Sequence, residues 1–233
     1  LLAKRLRLLL PDARGHPTTR WDAADGWSAA TRAEGFEAFW RGASCGVAQL
    51  ALPGAHNRSN ALAALAAAAQ VGVEPRRTVE ALGRFVGVKR RLELRGSVRG
   101  VTVYDDFAHH PTAISVTIEA LRERMRLKGE TGRVLAVLEP RSNTMRMGSH
   151  KGELTQALAA ADACFVYAPP TLKWDAGEAL AGLGARLHLH AALESLVADA
   201  VALARPGDAL LVMSNGDFGG IHQRLLDGLN ADG

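Results

Sequence analysis

The 233 residues contain only two cysteines, Cys45 and Cys164, far apart and outside any CxxC or Cys/His spacing. Neither a disulfide framework nor a zinc site is indicated, and a reducing cytoplasm is the expected location. Long apolar runs are also missing. The longest, Ala61 to Ala69, has nine residues, against the roughly 20 of a membrane-spanning helix, so no membrane partner is expected. Leu1 to Leu10 sets Lys4, Arg5 and Arg7 among its leucines, where a secretory signal needs an unbroken apolar core behind its charges. Secretion is therefore not expected. Charge of one sign is nearly absent as well. The net +4 lies entirely in the first 20 residues, and the remainder balances, whereas duplex binding needs a concentrated basic face. No nucleic acid is expected as a partner. What the chain does have, 48% apolar and 22% charged residues, is ordinary globular composition.

Two patterns divide the chain, with a boundary expected near residue 88. In the first part, the Trp-rich opening 45 residues lack a clean period and suggest irregular structure with short strands. A strand is expected over Val47 to Leu52, a buried helix from Asn57 towards Gly72, and a second helix from Pro75 to about Phe85. In the second part, residues 89–233, strand and helix signals alternate. A hairpin at Leu92–Arg95 and Val101–Tyr104 precedes short apolar strands at Val134–Leu138, Cys164–Ala168, Arg186–Leu189 and Ala209–Met213. The intervening helices are expected at Thr112–Leu127, Lys151–Ala161, Asp175–Leu183 and Ala192–Ala204, with a last one at Gly220–Leu229. This order predicts an α/β fold whose C-terminal part is a doubly wound, mostly parallel sheet with right-handed crossovers.

Ligands bind beyond the carboxyl ends of such strands, where loops and helix N-termini present unpaired groups. Three junctions there are more polar than a tight turn requires. Asp105-Asp106 with His109-His110 offers a carboxylate for a ribose or a metal-bound phosphate and an imidazole for charge stabilisation or proton transfer. The same letters fit a helix cap with solvated histidines. A zinc hydrolase built on His109 and His110 is the metal-dependent alternative, but adjacent histidines before a proline lack the i, i+4 face of a helical metal motif. Glu139-Pro140-Arg141-Ser142-Asn143 offers a guanidinium fork suited to a carboxylate, or an arginine paired with a local acid such as Glu139. Ser214-Asn215-Gly216-Asp217 precedes Gly219-Gly220, glycines that let backbone approach a ligand. In the first part, His56-Asn57…Asn60 stands at a strand-to-helix junction, where Asn57 can cap the helix and Asn60 can read a base edge. Cys164 is expected in the core. His188 and His190 are expected on an exposed strand end, without an assigned role.

Those segments resemble the Mur ligase family of ATP-dependent amide-bond ligases of bacterial cell-wall synthesis. Gly54-Ala55-His56-Asn57…Asn60-Ala61 and Tyr104-Asp105-Asp106…His109-His110-Pro111-Thr112 match family-wide. Arg90-Arg91-Leu92-Glu93, Glu139-Pro140-Arg141-Ser142-Asn143-Thr144 and Ser214-Asn215-Gly216…Phe218-Gly219-Gly220 match its peptide-recycling branch. The resemblance implies the tail end of an α/β ATPase domain, residues 1–88, and a complete C-terminal peptide-binding domain, residues 89–233. The UDP-sugar domain and phosphate loop are absent from the sequence, so the chain alone is expected not to turn over; the alternative reading is a non-catalytic α/β module that binds a nucleotide or peptide. The implied substrates are UDP-N-acetylmuramate and L-Ala-γ-D-Glu-meso-diaminopimelate, joined through an acyl phosphate with ATP and Mg²⁺ as cofactors. By the same resemblance, His56, Asn57, Asn60, Arg91 and Asp106 bind ATP, and His109 with Asp106 serves the chemistry. Arg141 grips the diaminopimelate carboxylate, and Ser142, Asn143, Asn215 and Asp217 are its neighbours, Asp217 as acceptor for the distal ammonium. No metal ligand is assigned.

Overall fold

A computed structural model describes residues 26–32, 35–50 and 52–231 of the chain. The described residues fall into two compact units that meet in sequence between Gly87 and Val88. In the first unit, β1 (Trp27–Arg32), β2 (Gly35–Trp40) and β3 (Ala43–Ala48) form an antiparallel three-stranded meander. The start of the Trp-rich opening lies outside the described residues. Its later part holds the expected short strands, β1, β2 and the start of β3, paired more regularly than the letters suggest. The strand expected at Val47–Leu52 is displaced to Ala43–Ala48. Its inward residues are the small Cys45 and Ala48, while Val47 is exposed, so the apolar letters misreported which positions pair.

The helix α1 (Ala55–Gln70) buries Ala61, Leu62, Leu65 and Ala66, one stripe at helical spacing. The shorter α2 (Pro75–Leu82) starts where the Glu74 carboxylate accepts from the N–H groups of Arg76 and Arg77, with Pro75 in the first turn. These helices and strands share a core of Trp27, Phe36, Leu62, Leu65 and Val79.

The second unit opens with the hairpin β4 (Glu93–Val98) and β5 (Val101–Asp106) and continues through α3 (Pro111–Leu127) and β6 (Val134–Leu138). Then follow α4 (Asn143–Arg146), α5 (Lys151–Leu158), β7 (Ala163–Tyr167), α6 (Ala176–Leu180), β8 (Leu187–His190), α7 (Leu193–Leu203), β9 (Ala209–Met213) and α8 (Ile221–Ala231). The six strands lie in the order β4-β5-β9-β6-β7-β8, parallel except for β4. The doubly wound sheet expected from the alternation is therefore present. Its strands alternate strictly. Tyr104, Ala136, Leu138, Cys164, Leu211 and Met213 face α3, α5 and α6, while Val103, Leu135, Val137, Phe165, Leu210 and Val212 face α7 and α8. Each buried Val, Leu, Phe or Met among them contributes about 1.5–3 kcal/mol. Burial also pushes the Cys164 thiol up to about 11, which suits a packing residue rather than a nucleophile.

The amino ends of the central strands are closed by charge. Asp208 is buried, and its carboxylate accepts from Arg133 N (3.0 Å), Nε (3.2 Å) and Nη2 (2.6 Å) and from Arg205 N (2.9 Å). The backbones meet there so closely that a Cβ on Gly132 would lie 1.8 Å from Gly207 O. At the opposite ends, Asp106, Met213 and Leu138 stand in register across β5, β9 and β6. The loops after those three strands are thereby set side by side.

Candidate active site

The carboxyl-end rim begins with two aspartates that point to opposite faces because they are neighbours in a strand. Asp106 turns towards α3 and is buried. Its Oδ2 accepts from Leu92 N (2.9 Å), and its Oδ1 accepts from Ala108 N (2.8 Å) and from the Thr117 hydroxyl (3.3 Å). Burial raises its carboxyl above the ordinary range, against the lowering effect of those donors and of the Arg91 charge. Both oxygens are engaged by protein, so this arrangement uses Asp106 to hold residues 90–92 and 106–108 together.

Asp105 turns towards α8. It lies 3.3 Å from Arg90 Nε and 3.2 Å from His222 Nε2, the latter close enough for an ion pair but out of line for a hydrogen bond. Burial works to raise the Asp105 carboxyl, but His222 and Arg90 together hold it below its ordinary value. Sequence reasoning selected Arg91 and passed over Arg90. In the structure Arg91 is exposed, while its neighbours Arg90 and Leu92 adopt left-handed backbone at φ 59° and 45°, a conformation that non-glycine residues adopt only when held in it.

His109 follows on the loop into α3. Its Nδ1 lies 2.9 Å from Phe107 O. A carbonyl only accepts, so Nδ1 carries the proton and Nε2 is the acceptor in the neutral ring. His110 is the residue before α3 and packs edge-on against His150, with centroids 4.3 Å apart. Among the described residues no group of three or more His, Cys, Asp or Glu converges on a metal-sized site.

The loop after β6 carries Arg141, whose Nη1 donates to Asp217 Oδ1 at 2.8 Å and lies 4.0 Å from Glu139 Oε1. The expected neighbour Asp217 is thus the partner of Arg141, held below its ordinary carboxylate range chiefly by that contact, and it stays largely exposed. Ser142 does not face outward as a free hydroxyl. It caps the four-residue α4 by accepting from Met145 N, while Asn143 is exposed in that helix's first turn. Asn215 buries its side-chain Oδ1 without a hydrogen-bond partner. Beneath the fork lies Gly216, where a Cβ would come within 2.3 Å of Arg141 Nη1. Only glycine lets the guanidinium lie flat on that turn.

The remaining candidates, His56, Asn57 and Asn60, belong to α1 in the first unit. Asn57 does not cap. The helix starts two residues earlier, and its Nδ2 donates back to Pro53 O at 2.8 Å. His56 and Asn60 are exposed. Three residues of this rim, Arg90, Ser214 and His222, are not among the sequence candidates. Ser214 is fully buried, its hydroxyl donates to Glu139 Oε2 and accepts from Gly216 N (2.9 Å), and its carbonyl accepts from Arg90 Nη2 at 2.5 Å. Only the clustering of polar letters after β9 hinted at it.

Residues 90–216 match the family described as "Mur ligase, glutamate ligase domain". The chain is 49% identical over 199 residues to the UDP-N-acetylmuramate–L-alanyl-γ-D-glutamyl-meso-2,6-diaminoheptandioate ligase of Escherichia coli, covering 85% of this chain and 43% of that protein. The Haemophilus influenzae ligase of the same description is 48% identical over 194 residues, covering 83% and 42%. Among solved structures, a murein peptide ligase from Psychrobacter arcticus superposes with a TM-score of 0.63 at 36% identity, covering 89% of this chain and 45% of that one. The chain thus spans less than half the length of the curated relatives it matches.

Proposed function

The chain belongs to the Mur ligase family, and from that premise we propose that its second unit is the peptide-receiving domain of an ATP-dependent ligase that joins L-Ala-γ-D-Glu-meso-diaminopimelate to UDP-N-acetylmuramate in peptidoglycan recycling. The first unit is the end of the ATPase domain that precedes it. ATP, when bound, supplies activation of the muramoyl carboxylate as an acyl phosphate. Mg²⁺ has no cluster of ligands among the described residues. The buried, unbridged cysteines accord with a cytoplasmic setting.

The observation that carries this reading is the Arg141–Asp217 pair. The free end of diaminopimelate is a zwitterion, a carboxylate beside an ammonium. Arg141 and Asp217 are its complement, set at the surface and neutralising one another until the ligand arrives. The ligand carboxylate replaces Asp217 on the guanidinium, and the ligand ammonium replaces Arg141 on Asp217. Glu139, 4.0 Å from Arg141, keeps the fork oriented during the exchange. Asn143 lies exposed beside the fork as a further polar contact. On the neighbouring loop, His109 presents Nε2 as the acceptor for the proton lost when the tripeptide amine attacks. Arg91, exposed on the turn that Asp106 fastens, is the cation the second unit offers to the nucleotide.

Calorimetric titration tests the reading. Saturable binding of the tripeptide, abolished in Arg141→Ala and when L-Lys replaces diaminopimelate, is the expected result. Equal binding of the lysine peptide, which lacks the distal carboxylate, would remove the assignment.

A further inference from the structure

Four polar residues that the proposed chemistry leaves unused, His222, Asp105, Arg90 and Ser214, form one connected chain that ends on Glu139 and Arg141. At its far end His222, on α8, faces Asp105, which faces Arg90. Arg90 Nη2 donates to Ser214 O, the Ser214 hydroxyl donates to Glu139, and Glu139 lies beside Arg141. The path thus leads from the lead-in to the second unit, across the ends of β5, β9 and β6, to the proposed peptide clamp.

Arg90 is the most heavily engaged residue along it. Its N–H donates to Glu93 Oε2 (2.8 Å), its carbonyl accepts from Phe107 N (2.8 Å), and its guanidinium lies 5.2 Å from the centre of the Phe107 ring. Its backbone is left-handed at φ 59°, and both backbone and guanidinium are held by partners, though the side chain stays partly exposed. Ser214 has little latitude either. It is fully buried, its N–H donates to Asp106 O (3.2 Å), and its hydroxyl sits between Gly216 N and Glu139. Gly216, in turn, is the floor on which Arg141 lies.

We propose that Arg90 is a positioning residue for Arg141: by gripping Ser214 it sets both the Glu139 carboxylate and the Gly216 floor that aim the clamp, while the same backbone turn throws Arg91 outward. The proposal rests on Arg141 being the peptide clamp only for its effect on affinity. Its structural claim, that Arg90 governs the environment of a guanidinium it never touches, stands apart.

The test is NMR of the chain labelled with ¹⁵N-arginine, the Arg141 Nε–H signal being identified by its loss in Arg141→Lys. In Arg90→Gln the Arg141 signal shifts or broadens and the tripeptide Kd rises about tenfold. In Arg90→Lys, which restores one donor to Ser214 O, both changes are partly reversed, an outcome that loss of packing alone does not give. Should Arg90→Gln not fold, Ser214→Ala removes the hydroxyl bridge while sparing the carbonyl contact, and the same Arg141 shift is expected. An unmoved Arg141 signal in either folded variant overturns the proposal. Failure of the parent chain to bind the tripeptide counts against the function proposed above, while the Arg141 signal still decides the positioning role.

Discussion

The two rims of the parallel sheet each hold an arginine–aspartate pair, and they do opposite things with it. At the amino ends, Asp208 is 3% exposed, and Arg133 contacts it through three nitrogens, with Arg205 N as a fourth donor. At the carboxyl ends, Asp217 keeps 82% of its side-chain exposure and touches Arg141 through a single 2.8 Å contact. The first pair is closed, because every lone pair that burial would leave unsatisfied has a donor. The second is open, and water or a ligand can take either partner's place at little cost. Identical side chains therefore serve stability at one rim and exchange at the other, and exposure with donor count tells them apart.

The largest expected effect breaks the closed pair. Asp208→Ala strands Arg133 and two backbone N–H groups and should lower the unfolding free energy by about 3 kcal/mol, read from urea denaturation. Burial tends to raise the Asp208 carboxyl, but Arg133 and Arg205 hold it below its ordinary value. Its contribution is thus complete above the unfolded-state carboxyl value and is lost as pH falls through the lower folded one. Acid unfolding that is just as steep in Asp208→Asn would contradict this. Next comes the open pair. Arg141→Ala should change the unfolding free energy read from urea denaturation by no more than an exposed surface substitution does, about 0.5 kcal/mol, yet reduce tripeptide affinity by about 2 kcal/mol or more. The smallest effect sharpens the contrast. Gly216→Ala places a methyl where the Arg141 guanidinium lies, but that side chain is flexible and exposed. Affinity should fall a few-fold with stability unchanged, whereas Gly132→Ala, which drives a Cβ into the Gly207 carbonyl, should destabilise the protein without touching affinity in the folded fraction.

Much of this was legible in the letters. Short runs such as Val134–Leu138 and Ala209–Met213, apolar at every position and separated by helical spacing, have few readings other than strands buried on both faces. The rule that ligands gather past strand ends then pointed to Arg141 and Asp217 as candidates, though not to their pairing. What stayed hidden is contact between positions remote in sequence. Arg90 and Ser214 are 124 residues apart, and no period or motif announces a bond across that gap. The four-residue α4 escaped because one turn held by the Ser142 cap has too few positions to show a helical stripe. β3 was misplaced for a related reason, since its buried residues are small and its largest apolar one faces out.

Asp105 and Asp106 have one more consequence, for folding fidelity. Adjacent residues of a strand face opposite layers, so this dipeptide checks both sides of the sheet at once: Asp105 finds Arg90 and His222 on one side, Asp106 finds Leu92, Ala108 and Thr117 on the other. A one-residue slip of β5 would put one carboxylate in the other's place and carry the second away from both sets of partners. A misaligned sheet thus carries one displaced carboxylate and one set of donors without an acceptor, and the pair acts as a proofreading mark for the register in which the strand ends come flush.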